Sequence, residues 1–241
     1  MPNWVFNRLC IKKDYLDKVV KGKDVDFGII APRPEELDIP CGGDEGIARA
    51  VYLYKERGNK SLILGTYLNR EVKDLFSGNS EMIEKGIIEA EKKYQTPNYK
   101  EKLELLKKYP TLYDLGKQYF DNEEKYGTSN WYDWDCKNWG TKWNACSTDI
   151  LDIDDDLVEI KFDTPWSTPY GWLDKLSKIC PFYLEWEEEQ GYHGEIYCDG
   201  ETIENNDLEM VQYVEDENGD FCLENEDVYT FDEMKFEVAN W

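Results

Sequence analysis

Between residues 157 and 198 the hydrophobic pattern changes period twice. Val158, Ile160 and Phe162 fall on one side of an extended chain, with Glu159 and Lys161 on the other. Pro169 then opens a helix that runs to Ile179, with Trp172, Leu173 and Leu176 on its buried stripe. Phe182, Leu184 and Trp186 restore the two-residue alternation against Tyr183, Glu185 and Glu187, and Tyr192–Cys198 continues as a strand past a turn at Gly191. Strands with one apolar face, interrupted by a one-sided helix, bury their apolar faces under that helix. The expected architecture is therefore an open sheet with helices on one face.

The rest of the chain extends this pattern. Trp4–Ile11 reads as a strand, and Asp14 is placed to cap a short helix reaching about Lys21. Val25–Ile30 is apolar and extended, and it stops at Ala31-Pro32-Arg33-Pro34. Residues 44–126 are rich in Lys, Glu, Leu and Tyr, with helical patterns over about 44–57, 66–77, 80–94, 98–108 and 111–125 and breaks at Gly58, Gly78, Pro97 and Pro110. Strand character returns near Thr141–Cys146. Near the end, Met210–Tyr213 and Phe221–Leu223 flank Asn218-Gly219, a hairpin signal. With the helical segment removed, the order is strand, helix, strand, strand, helix, strand, strand. That order predicts an α+β fold, a ferredoxin-like split βαβ sandwich with a large helical insertion and an acidic C-terminal β extension. The expected divisions are 1–43 with 129–200 for the sandwich, 44–128 for the insertion and 201–241 for the extension.

Charge is distributed unevenly along this plan. The formal net charge of −24 lies in residues 149–241, where 28 acidic side chains face only Lys161, Lys175, Lys178 and Lys235; residues 1–148 are balanced. An acidic region of this size repels nucleic acid and acidic membrane surfaces and attracts basic ones. Nine Trp and 17 Tyr argue that the chain folds in spite of its charge. No apolar run is long enough for a membrane span, and Arg8, Lys12, Lys13, Asp14 and Asp17 interrupt any leader-like stretch. The seven scattered cysteines form no Cys-x-x-Cys pair and suit reduced thiols in a cytoplasm.

Three motifs are distinctive. The chain opens Met1-Pro2-Asn3-Trp4, with Asn7, Leu9 and Ile11 following. Later come Asn138-Trp139-Gly140-Thr141-Lys142-Trp143-Asn144-Ala145 and Thr164-Pro165-Trp166-Ser167-Thr168-Pro169, with Trp172 behind them. In this order the motifs resemble the family of phage- and plasmid-borne proteins with a YubB-type ferredoxin-like domain. The resemblance covers about residues 1–40 and 129–198, with Thr168-Pro169 standing where relatives tend to show paired prolines. It implies a fold and a mobile-element origin and brings no catalytic residues. Read physically, Trp139, Trp143 and Trp166 cover the edge of a small sandwich, with Gly140 permitting tight backbone between two indoles. The alternative is an aromatic binding platform, worth about 1–3 kcal/mol per stacked base. The surrounding acidity disfavours nucleic acid as its ligand.

Candidate chemistry is sparse. The single histidine, His193, sits in a predicted strand with no nucleophile motif near it. Asp152, Asp154, Asp155 and Asp156 form a carboxylate cluster. Against an EF-hand loop, however, position six is Leu157 and position twelve is Asp163. Asp216, Asn218 and Asp220 imitate the start of such a loop but meet Phe221 where Gly is needed. Gly140-Thr141-Lys142 lacks the glycine spacing of a phosphate loop. No catalytic residue, metal site or cofactor is therefore assigned.

The expected function is that of a phage- or mobile-element-encoded acidic interaction protein in the host cytoplasm, with no direct nucleic-acid or membrane contact. Such a protein would be an anti-defence inhibitor, a DNA mimic that occupies the basic nucleic-acid-binding surface of a host protein. The expected partner-binding residues are Glu185, Glu187, Glu188, Glu189, Glu195, Asp199, Glu201 and Glu204, on adjacent strands and their turns. The alternatives are a metal-dependent phosphodiesterase or nuclease using the Asp152–Asp156 cluster, and a structural or assembly protein.

Overall fold

The computed structural model describes residues 3–58, 84–85, 87–88, 92, 108–153, 156–200, 202–207, 213–215 and 221–223. The chain divides into two compact units, Met1–Arg33 with Asp135–Trp241, and Pro34–Trp134.

The first unit is built on a six-stranded antiparallel sheet. Its strands are β1 (Trp4–Lys12), β4 (Cys146–Asp152), β5 (Leu157–Pro165), β6 (Phe182–Glu188), β7 (His193–Cys198) and β8 (Ile203–Asp207), in the spatial order β4-β5-β1-β6-β7-β8. The N-terminal strand lies in the middle, between the two strands joined by helix α5 (Tyr170–Leu176). This is the split βαβ arrangement, and β7 and β8 extend it on one side. The apolar side of the sheet carries Leu9, Ile160, Leu184, Phe162 and Ile196, all buried. Trp172 of α5 packs there, its ring 6.4 Å from that of Phe162 and 4.8 Å from that of Phe27. Asn7 is a buried polar exception on this side. Its Nδ2 donates to Val5 O, Phe162 O and Thr164 Oγ1 at 2.8–3.2 Å, within β1 itself and across to β5, while its buried Oδ1 accepts no hydrogen bond among the described residues.

The connection after β1 departs from expectation. Asp14 makes no side-chain cap, because the segment begins as a 3-10 turn, Lys13–Tyr15, and Lys13 N donates to Asp156 O. Helix α1 is a single turn, Leu16–Val19. Val20–Lys21 (β2) then pairs with Asp24–Val25 (β3) about Gly22, whose φ is +70°. Val25–Ile30 is not one extended run. Asp26 Oδ1 accepts from Gly28 N at 2.9 Å and turns the chain into a 3-10 helix, Phe27–Ile29, which buries Phe27. The expected strand at Thr141–Cys146 starts only at Cys146. Ahead of it Gly140 holds φ +86°, and a Cβ there would lie 2.9 Å from the backbone nitrogens of Tyr170 and Gly171. The tight approach is therefore to the start of α5. Strand β8 and helix α4 (Trp131–Asn138) add to the elements that the sequence pattern predicts.

Further along the first unit, β9 (Tyr213–Glu215) pairs with β10 (Phe221–Leu223) as a separate two-stranded ribbon. The hairpin signal at Asn218-Gly219 lies outside the described residues.

The second unit pairs α2 (Gly43–Arg57) with α3 (Leu112–Tyr126) around Ile39, Ala48, Val51, Leu112, Leu115 and Tyr119. Both helices end on a left-handed glycine, Gly58 and Gly127. Thr111 caps α3 by accepting from Asp114 N. Gly116 lets the helices touch, since a Cβ there would stand 2.1 Å from Ala48 O. The helical patterns over 66–77, 80–94 and 98–108 fall almost wholly outside the described residues.

Candidate functional site

The second side of the sheet is polar, and strand register sorts it into three rows. Asp149, Lys161, Arg8, Glu185, Glu195 and Asn206 stand opposite one another across the six strands. One step along lie Leu151, Glu159, Cys10, Tyr183, Tyr197 and Glu204. One step the other way lie Cys146, Asp163, Phe6, Glu187 and His193. Seven carboxylates stand in these rows against two cations, Arg8 and Lys161.

Arg8 is the hub. It is 8% exposed, and its Nε and Nη2 both approach Glu159 Oε2 at 2.6 Å. Glu185, 2% exposed, receives a long 3.5 Å contact from Nη1, and its Oε1 has no hydrogen-bond partner among the described residues. One guanidinium thus serves two buried carboxylates and favours Glu159. Burial pushes the Glu185 carboxyl up to about 7; Arg8 and a hydrogen bond from Tyr183 oppose the rise, and Glu159 and Glu195 add to it. The Tyr183 hydroxyl, raised by burial and then by Glu185 and Glu195, donates to Glu195 Oε2 at 2.8 Å. Lys161 Nζ lies 3.6 Å from Glu159 Oε1.

The expected acidic residues separate by pleat. Glu187, Glu195 and Glu204 share the polar side with Glu185. Glu185 itself is corrected from a surface contact to a buried ion-pair member, because β6 lies directly against β1 and Arg8 draws its carboxylate inward. Glu188 registers with Val5 and so belongs to the opposite side. Glu189 is exposed beyond the strand, with its N–H bonded to Trp4 O. Asp199 closes its own turn, accepting from Thr202 N at 2.8 Å and from Thr202 Oγ1 at 3.3 Å. Glu201 lies outside the described residues.

Arg8 was missed as a site residue. Its sequence signal is a charge in the middle of an apolar strand, matched by glutamates on the polar side of two other strands.

Other candidates are placed as follows. Asp152 ends β4, is mostly exposed and lies 3.3 Å from Lys13 Nζ, whereas Asp154 and Asp155 are outside the described residues. Among the described residues no group of three or more His, Cys, Asp or Glu side chains is arranged to hold a metal ion. His193 stands opposite Glu187, and its buried Nδ1 makes no hydrogen bond among the described residues.

The tryptophans divide. Trp139 is buried, donating Nε1–H to Ala31 O at 2.9 Å and packing its ring on Phe27. Trp143 is half-buried and meets Trp4 edge-on at 6.3 Å. Trp166 is 47% exposed and has a left-handed backbone, φ +72°. Lys142 Nζ sits over both exposed-side rings, 4.3 Å from Trp166 and 5.0 Å from Trp143.

The strand order and the site now allow comparison with known proteins. Residues 138–232 match the family model of the ferredoxin-like domain in Api92-like protein. The match takes in β4 to β10 with α5, so this part of the chain is similar to that ferredoxin-like domain, and the whole is an α+β fold that mixes helices with a mostly antiparallel sheet. Among solved structures, protein api92 from Yersinia pseudotuberculosis is similar to this chain at 13% identity, covering 87% of this chain and 99% of its own, with a TM-score of 0.42. No curated protein matches. Among the described residues no helix is long and apolar enough to cross a membrane.

Proposed function

We propose that this protein is an acidic interaction protein, encoded by a phage or other mobile element. It acts in the host cytoplasm on a basic, nucleic-acid-binding protein. Its polar sheet side and the adjoining turns occupy the surface that the partner uses for nucleic acid, so that it serves as an anti-defence inhibitor and DNA mimic. The observation that carries this reading is the gathering of the C-terminal charge. The 28 acidic residues of 149–241 are opposed by four lysines, and strand register brings Asp149, Asp163, Glu187, Glu195 and Glu204 onto the side where Arg8 is already engaged by Glu159 and Glu185. A sheet side with this excess attracts cationic surfaces and rejects phosphate backbones.

The test is charge reversal on the half-buried and exposed part of the face. A Glu187→Lys, Glu195→Lys, Glu204→Lys variant leaves Arg8, Glu159 and Glu185 themselves in place. It is expected to fold like the parent, with unchanged far-UV circular dichroism, and to lose partner affinity by roughly tenfold or more. A folded triple variant that binds as tightly as the parent rules the reading out.

A further inference from the structure

Trp166 carries backbone strain. Its φ of +72° is a conformation that L side chains with a Cβ branch into bulk rarely take, costing about 1 kcal/mol or more. The chain holds it there with Trp166 N donating to Asn3 O at 2.8 Å and Thr164 Oγ1 donating to Ser167 O at 2.9 Å. Glycine adopts this backbone without cost. Core packing does not account for a tryptophan here, because the ring is 47% exposed. What the ring does is face a cation. Lys142 Nζ lies 4.3 Å from its centroid and 5.0 Å from that of Trp143, and Trp143 is braced edge-on by Trp4. Rings from two distant segments thus meet one ammonium group, and Trp4 from a third braces one of them.

We propose that Trp143 and Trp166 form a cation-binding cage for a lysine or arginine side chain of a basic partner protein, and that Lys142 fills it in the free protein. The inference rests on the proposed function for the class of partner. An ammonium group placed between indoles is the arrangement by which proteins recognise cations through aromatic faces. The position fits a cationic visitor better than a nucleobase. Trp4, which braces the cage, precedes Phe6 on the same side of β1, and Phe6 stands in one row with Asp163 and Glu187. A nucleic-acid strand stacked on these rings would bring its phosphates against those carboxylates, whereas a basic segment would meet them favourably. When the partner's cation enters, Lys142 swings out on its flexible stem.

The two chemistries predict opposite effects of removing Lys142. Binding of a fluorescein-labelled hexa-arginine peptide to the full chain is measured by anisotropy at 50 mM salt, with a labelled oligothymidine in parallel. Lys142→Ala is expected to tighten peptide binding about two- to fivefold. Lys18→Ala, the same charge change on an exposed lysine elsewhere, tightens it by less. Trp166→Gly, which suits the left-handed backbone and so keeps the fold, weakens it about two- to fivefold. If Lys142→Ala and Trp166→Gly both bind like the parent while salt still disrupts the complex, the cage is overturned and the acidic-face reading survives. If the parent binds oligothymidine and both variants lose it, the cage is a base-stacking platform and the inference is wrong. If the parent binds no cationic peptide at all, the cage and the acidic-face reading both fail.

Discussion

Replacing Glu185 with glutamine should stabilise the protein in neutral and mildly alkaline buffer. Glu185 is 2% exposed, its guanidinium contact is 3.5 Å long, and its second oxygen is unpartnered among the described residues. Burial lifts its carboxyl from an ordinary 4.5 to about 7, in spite of Arg8. A rise of that size is worth about 3 kcal/mol. The sign follows from proton counting. Between pH 4.5 and 7 the folded chain holds a proton on Glu185 that the unfolded chain has released. The contribution of this group is therefore fully present below pH 4.5 and is lost as pH rises through 7. Glutamine has the same shape and no charge to bury, so its contribution does not change with pH. The difference between Glu185→Gln and the parent should be small at pH 5 and reach up to about 3 kcal/mol in favour of the variant at pH 8. Urea titrations followed by tryptophan fluorescence at the two pH values read this difference, provided the m-values agree. A variant less stable than the parent at pH 8 refutes the reasoning. It would mean that the Arg8–Glu185 attraction outweighs the cost of burying the carboxylate.

Two other substitutions test neighbouring parts of the account. Arg8→Met removes the one guanidinium shared by Glu159 and Glu185, leaves two buried carboxylates without it, and should cost about 3–5 kcal/mol in urea denaturation at pH 8, less at pH 5, where Glu185 is protonated. A loss of the same size at both pH values contradicts the assignment of the proton to Glu185. Gly116→Ala places a Cβ 2.1 Å from Ala48 O and 2.8 Å from the Tyr52 Cβ, so α2 and α3 must separate. A loss of about 1–3 kcal/mol is expected, and a variant as stable as the parent would mean that the crossing is looser than described.

Much of this fold is written in local patterns. The alternation of Val158, Ile160 and Phe162, and of Phe182, Leu184 and Trp186, marks β5 and β6 because each strand has one side under α5. Helices α2 and α3 follow from their apolar spacing and their terminal glycines. What stays hidden depends on partners distant in sequence. The extended look of Val25–Ile30 gives way to a turn because Asp26 accepts from Gly28 N and from the Asn144 amide, 118 positions away. Strand β8 reads Ile203-Glu-Asn-Asn-Asp207, with little β propensity, and exists because β7 offers it an edge. The site follows the same logic. That Glu187, Glu195 and Glu204 share a side is readable from two-residue alternation once the strands are paired. That Glu185 leaves the surface for Arg8 is not, since it requires knowing that β1 lies beside β6. Trp166 also escapes the sequence, because nothing in Thr164–Pro169 signals a left-handed tryptophan.

The central claim is that this acidic face substitutes for nucleic acid on a basic partner. The most direct measurement is competition. The protein is immobilised, the partner is captured from nuclease-treated host lysate and identified, and duplex DNA is then titrated against the purified complex at fixed salt. The account predicts that duplex DNA displaces the protein, that the complex also dissociates as salt rises from about 0.1 to 1 M and screening shortens from about 10 to 3 Å, and that the Glu187→Lys, Glu195→Lys, Glu204→Lys variant is not retained. A complex that holds at 1 M salt and ignores saturating DNA would contradict it.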